Sequence, residues 1–286
     1  MIACDLGSNT IRFVEIDCKS KKRVKEFEKI VRTAEDIKKT GKISDDAKKR
    51  IFEALSEASE IFDFSKGLKA VTTEALRVAK NAKEFLDEIK KKFGIEFEII
   101  DGKKEAYYTN IAVREVVDTK SYILIDIGGG STEVSFVDGN EIKSYSFDLG
   151  IVTIVEECGF KDLKKCIKNK ISFIKKELSE IKKPKVLVAT AGTPTTIASY
   201  LQGMDYESYD YEKINGYILS LEKVQKVKKD LILMNENDRK KWVGVGREDL
   251  IVAGIEIFEE LMKLFDFRES VVVDDSLREG VAISQC

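Results

Sequence analysis

The sequence predicts an α/β fold of two related domains, and three observations carry that prediction. One supersecondary pattern occurs twice: an apolar strand, an aspartate, a turn rich in Gly, Ser and Thr, and a second, alternating strand. It reads IACDLGSNTIRFVEID at 2–17 and YILIDIGGGSTEVSFVDG at 122–139. Asp5 and Asp126 are equivalent in it, 121 positions apart, so a duplicated domain with a cleft between the halves is expected. Strand and helix patterns alternate through the rest of the chain, and 286 residues suit two domains better than one.

The elements follow in order. Residues 2–17 read as two strands joined by a tight polar turn. A more polar stretch comes next, with no element assigned to it. Ser44-Asp45-Asp46 looks like a helix start, with Ile51, Leu55, Ala58 and Ile61 as the apolar stripe. Residues 68–72 read as a buried strand. Asn81 with Glu84 resembles a capping box, and Phe85, Ile89 and Phe93 follow at helical spacing. A strand is expected at 95–100 and a helix at 103–117. After the second copy of the pattern, VLVATAGT (186–193) reads as a third strand and turn running into a helix. Helices are expected at 159–181, 221–236 and 247–265, a strand at 270–274 and a terminal helix at 277–284. The resulting domains are 1–117, joined by 277–286, and 118–276.

Composition excludes several functions. With 43% hydrophobic and 35% charged residues and two prolines, the chain is globular with a solvated exterior. No apolar run reaches the roughly 18 residues of a membrane helix, and the opening MIACDLGSN has an acid where a signal peptide would be basic. A cytoplasmic protein without membrane partners is expected. The charge of −2, from 49 basic and 51 acidic residues, gives no global field for nucleic acid, although lysines crowd 164–185 and 223–241. Five scattered cysteines without a CxxC pair indicate neither a zinc site nor a disulfide framework. Histidine is absent. That removes Ser-His-Asp and Cys-His catalysis, phosphohistidine intermediates and histidine-ligated metals together.

The duplicated turns suggest phosphate chemistry. Glycine lets backbone N–H groups approach an anion, and successive N–H groups form an anion-binding concavity that Ser or Thr hydroxyls extend. An aspartate ending the preceding strand suits Mg²⁺, or water on Mg²⁺, rather than phosphate itself. No GxxxxGK[ST] loop, no cysteine followed six positions on by arginine and no DxDx[TV] pair is present. In-line attack by water, helped by a carboxylate base and a divalent cation, is the chemistry left.

These segments resemble the exopolyphosphatase/guanosine pentaphosphate phosphohydrolase (Ppx/GppA) family of the acetate kinase/sugar kinase/actin superfamily. DLGSNTIRFVEID and IDIGGGSTEVSF look like its two phosphate-binding turns. TTEALRVAKN (72–81) is similar to its T-x-A-x-R-x-A-x-N segment, and IDGKKEA (100–106) to its I-S-G-x-x-E-A segment. AGT (191–193), RED (247–249) with Ala253-Gly254, and LREG (277–280) follow in the family's order. Thr10 stands where serine is common, Asp101 replaces a serine, and Lys103-Lys104 replace an often acidic pair.

The resemblance implies two actin-like (ribonuclease H-like) domains with mixed sheets. It implies removal of the terminal phosphoryl group from inorganic polyphosphate, guanosine pentaphosphate (pppGpp) or both. Glu105 falls on the catalytic base, and Glu133 on a residue that positions water or metal. Asp5 and Asp126 match cation-associated acids for Mg²⁺ or Mn²⁺. Gly7, Ser8, Asn9, Thr10, Gly128, Gly129, Gly130, Ser131, Thr132, Gly192 and Thr193 fall on phosphate-binding positions. Arg77 reads either as a substrate contact or as a structural ion-pair partner. A homodimer is carried as an expectation. The helical C-terminal module of larger relatives, which resembles HD phosphohydrolases, is not expected in a chain without histidine. Two other readings are an ATP-dependent small-molecule kinase of the same superfamily and a non-catalytic nucleotide or alarmone sensor. Against the kinase, the segment after Gly192-Thr193 is short; against the sensor, Glu105 and Glu133 are both kept.

Overall fold

Two mixed β-sheets organise the chain in the computed structural model, which describes residues 1–181 and 183–286; Lys182, in the lysine-rich stretch, lies outside them. The first unit comprises Met1–Glu115 with Asp275–Cys286. Its elements are β1 (Ile2–Leu6), β2 (Thr10–Ile16), β3 (Arg23–Ile30), α1 (Ile37–Thr40), α2 (Asp45–Ile61), β4 (Leu68–Thr72), α3 (Glu74–Val78), α4 (Ala82–Phe93), β5 (Phe97–Ile99) and α5 (Gly102–Val113). The sheet order is β3-β2-β1-β4-β5, with β1, β2 and β3 antiparallel and β1, β4 and β5 parallel.

The second unit, Val116–Asp274, contains β6 (Ser121–Ile127), β7 (Thr132–Asp138), β8 (Glu141–Phe147), α6 (Ile151–Glu177), β9 (Leu187–Thr190), α7 (Gly192–Leu201), α8 (Tyr211–Ile214), β10 (Tyr217–Ser220), α9 (Leu221–Leu233), α10 (Glu236–Val243), α11 (Ile251–Leu264) and β11 (Glu269–Val272). Its order is β10-β11-β9-β6-β7-β8. Read from β8, the arrangement β8-β7-β6-β9-β11 repeats that of the first sheet, and β10 adds an antiparallel edge. The central strands β1 and β6 are buried along nearly all their length, as strands covered on both faces must be. No helix among the described residues is long and apolar enough to cross a membrane.

The last helix, α12 (Leu277–Ile283), packs on β1, β2 and α5. The LREG segment supplies the reason. Glu279 is 1% exposed; its carboxylate accepts from the Ser276 amide at 2.9 Å and from Arg278 Nε at 2.6 Å. Arg23 on β3 bonds Asp275 at 2.6 Å and approaches Glu279 at 3.3 Å, so the buried charges are paired. Gly280 lies so close to α5 that a Cβ there would stand 1.8 Å from the Tyr108 carbonyl oxygen.

A second charged cluster is built into the other unit. Glu259 on α11 is 4% exposed. Burial pushes its pKa up, but hydrogen bonds from Lys228, Lys263 and Gln225 outweigh burial and bring it down from 4.5 to about 2. A carboxylate depressed in the folded state contributes stability that is present above pH 4.5 and lost as pH falls toward 2. Thermal unfolding across that window should show this loss in the wild type, and Glu259→Gln should show a smaller one. At neutral pH the variant should be less stable by about 2 kcal/mol, the order of a lost hydrogen bond to a charged group, because Lys228 then keeps Glu256 alone as its charged partner.

The structure corrects several expectations. The unassigned polar stretch holds β3, an edge strand whose charged, exposed residues give little apolar signal. The helix expected at 159–181 starts at Ile151 and breaks at Gly159 (φ 62°, ψ 170°). The helix expected at 221–236 ends at Leu233, and α10 follows. Asn81 does not cap α4: its side chain accepts from the Ile43 amide at 2.9 Å and donates to the Ile43 carbonyl at 3.0 Å. Cysteine pairing was not expected, yet Cys18 bonds Cys286 and Cys158 bonds Cys166. The first pair is 268 residues apart in sequence, and only the return of α12 to the first unit brings it together. Cys4 is free and buried; burial, then the neighbouring Asp5 charge, push its pKa up.

Candidate active site

In the second unit, the turn between β6 and β7 is closed by a hydrogen bond from the Gly128 amide to the Ser131 carbonyl at 2.9 Å. The start of α6 then engages its carbonyls. Ile151 N donates to Gly128 O at 3.0 Å, Val152 N to Gly129 O at 2.8 Å, and Thr153 Oγ1 to Gly130 O at 3.1 Å. In a planar trans peptide the N–H points opposite to the C=O. With three successive carbonyls drawn toward α6, the amides of Gly129, Gly130 and Ser131 point away from it, as an anion-binding concavity requires. Gly150 makes the approach feasible, since a Cβ on it would lie 2.2 Å from Gly130 C and 2.4 Å from Gly129 O.

The first unit repeats the device. Gly7 N donates to Thr10 O at 2.9 Å, and the carbonyls of Ser8 and Asn9 accept from the amides of Ala34, Val31 and Arg32. Ser8 and Thr10 are buried, and Asn9 is half-buried.

Strand register sets what stands beside each turn. Asp126 is paired with Glu133, Glu133 with Ser146, and Asp126 also with Thr190. Directly paired residues share a face of the sheet, so Thr190, Asp126, Glu133 and Ser146 form a row across β9, β6, β7 and β8. Glu133 is 3% exposed, and its Oε1 accepts from Ser131 Oγ at 2.8 Å and Ser146 Oγ at 2.7 Å. The equivalent row in the first unit runs Val71, Asp5, Arg12, Glu28. Arg12 occupies the place of Glu133 and pairs with Glu28 at 2.9 Å, so the carboxylate pair Asp126–Glu133 is peculiar to the second unit's row.

Glu105 lies half-buried in the first turn of α5, where the helix dipole favours an anion. Asp101 caps this helix, accepting from the Lys104 amide at 2.8 Å. The lysine preceding Glu105 is turned elsewhere: Lys104 Nζ bonds Glu98 on β5. That contact first, and Lys69 second, hold the Glu98 carboxyl below its ordinary pKa.

Other expected site residues have structural engagements. Arg77 donates to the Ile100 carbonyl at 2.8 Å and pairs with Glu74. Thr132 is fully buried, with its hydroxyl on the Leu149 carbonyl. Thr193 is 2% exposed, and a Cβ on Gly254 would lie 2.2 Å from its Oγ1. Gly192, by contrast, has open space where a Cβ would point, at the start of α7. Sequence reasoning missed Ser146, Gly150 and Thr153. The available signal was the glycine between an alternating strand and an apolar stretch, SFDLGIVTIV (146–155).

Comparison with known proteins agrees with this architecture. The description of the Ppx/GppA phosphatase family matches residues 14–286. A bifunctional 3-dehydroquinate synthase/phosphatase of Fusobacterium nucleatum is 29% identical over 95% of this chain, which spans 44% of that protein. Exopolyphosphatase 2 of Mycobacterium tuberculosis is 26% identical, with 99% of this chain and 97% of the relative covered. The crystal structure of the Aquifex aeolicus member of the Ppx/GppA protein family matches with a TM-score of 0.78 at 31% identity, over 99% of this chain and 96% of that one.

Proposed function

Because the chain belongs to the Ppx/GppA phosphatase family, we propose that it removes the terminal phosphoryl group from inorganic polyphosphate or guanosine pentaphosphate. The observation that carries this reading is the second turn, whose amides at 129–131 are held facing away from α6 beside the Asp126–Glu133 row. Glu105 is the proposed base. The water oxygen forms a bond to the terminal phosphorus while its proton passes to Glu105, and the bridging P–O bond breaks to release the shortened chain. Glu133, oriented by two hydroxyls, is proposed to align the water. The glycine turns are proposed to hold the phosphate oxygens.

A magnesium or manganese ion is the proposed cofactor. Among the described residues no group of three or more Cys, Asp or Glu could form a metal cage. Mg²⁺ does not need one, since it is commonly held by one or two carboxylates together with substrate phosphates. Asp5 and Asp126 are the proposed contacts. When bound, the ion would offset negative charge on the transferred and leaving groups.

Orthophosphate release from polyphosphate, guanosine pentaphosphate and ATP, each measured with Mg²⁺ and with excess chelator, tests the proposal. Chelator-sensitive release from one of the first two is expected. Absence of release from both would contradict the reading, and transfer from ATP to a small acceptor would favour the kinase instead.

A further inference from the structure

We propose that Ser146 is a positioning residue for Glu133. The inference rests on the proposed role of Glu133 and goes beyond it by identifying the group outside the turn that sets the carboxylate's orientation. Glu133 is buried on β7, next to the edge strand β8, yet its long side chain must hold one direction to align a water. Two hydroxyls converge on Oε1, from Ser131 at 2.8 Å and from Ser146 at 2.7 Å. Ser131 belongs to the phosphate turn and lies only two residues from Glu133. Ser146 belongs to β8 and faces Glu133 across the ladder.

The arrangement has a mechanical consequence. A carboxylate held by the turn alone would follow every shift of that turn. The bond from β8 ties the same oxygen to a neighbouring strand, so its direction stays fixed against the sheet when the turn takes up phosphate. A hydrogen bond to a charged acceptor is among the stronger ones, and its loss leaves a buried carboxylate short of a donor. Ser146 itself is exposed, with its hydroxyl on the buried carboxylate. The next pair on the same face, Ser135 and Ser144, bond only each other at 2.9 Å, and they serve as the built-in comparison.

The test is steady-state kinetics of phosphate release by Ser146→Ala, Ser146→Thr, Glu133→Gln, Ser144→Ala and the double variant Ser146→Ala/Glu133→Gln. Thermal unfolding of each variant separates folding from function. Ser146→Ala should lower kcat about tenfold with KM little changed. Ser146→Thr, which keeps the hydroxyl, should restore most of the rate, and Ser144→Ala should leave it unchanged. In the Glu133→Gln background, Ser146→Ala should have little further effect, because the carboxylate whose alignment it sets is gone. A wild-type rate for Ser146→Ala alongside an impaired Glu133→Gln would overturn this inference and leave the role of Glu133 intact. Independent, multiplying losses in the double variant would also overturn it. A wild-type rate for Glu133→Gln would instead remove the reading on which the inference stands.

Discussion

Glu105→Gln should lower kcat for terminal phosphate release by about 10²- to 10⁴-fold while leaving substrate binding nearly intact. The water that attacks a phosphoanhydride must lose a proton, and the chain contains no histidine to accept it. Glu105 is a half-buried carboxylate in the first turn of a helix capped by Asp101. Its lysine neighbour Lys104 is bonded to Glu98. Glutamine keeps the shape and hydrogen-bonding reach of the side chain but cannot take the proton. Equilibrium binding of a non-hydrolysed polyphosphate analogue, measured beside kcat, separates the two effects. Wild-type turnover in this variant would contradict the assignment of the base and make Glu133 the candidate.

Gly150→Ala should cost about 10²-fold in kcat/KM. Gly150 has φ −104° and ψ 157°, a conformation open to any residue, so the constraint is proximity. The added methyl would overlap the backbone of Gly129 and Gly130. Either the turn or the start of α6 must then move by about an ångström, and misplacements of that size are enough to lose two orders of magnitude. Thr153→Val deletes the hydroxyl bonded to the Gly130 carbonyl without adding bulk, and its rate should fall between wild type and Gly150→Ala. Circular dichroism and thermal unfolding distinguish a displaced turn from a failed fold. Full activity in Gly150→Ala would show that the geometry of the second turn does not matter to the reaction.

The strands beside the two aspartates and the paired turns were readable because their signals are local: an apolar run, an acid, then glycine or hydroxyl residues. Ser44 was readable as a helix cap for the same reason, and its side chain does accept from the Ala47 amide. What escaped depends on partners distant in sequence. β3 and β8 are edge strands whose polar residues resemble a loop until their neighbours are known. Residues 151–158 begin α6 although Ile151, Val152, Thr153, Ile154 and Val155 are β-branched, and a helix reading naturally began at the glycine where the helix in fact breaks. Asn81 looked like a cap because Glu84 follows it, but its amide finds the Ile43 backbone 38 residues earlier. Cysteine spacing carried no sign of the Cys18–Cys286 pair, which depends on where α12 docks. Of the proposed site residues, Glu105 and Glu133 come from motif resemblance, whereas the place of Ser146 opposite Glu133 comes from strand register.

Phosphate release in water enriched in ¹⁸O tests the central claim most directly. Attack of water on the terminal phosphorus puts the solvent oxygen into the released orthophosphate, with one labelled oxygen per molecule formed and none in the shortened chain. Mass analysis of the orthophosphate and of the residual polyphosphate or guanosine product from a single turnover reads this out. Label confined to the orthophosphate is the predicted result. Label in the shortened chain, or release that requires an acceptor other than water, would contradict the account.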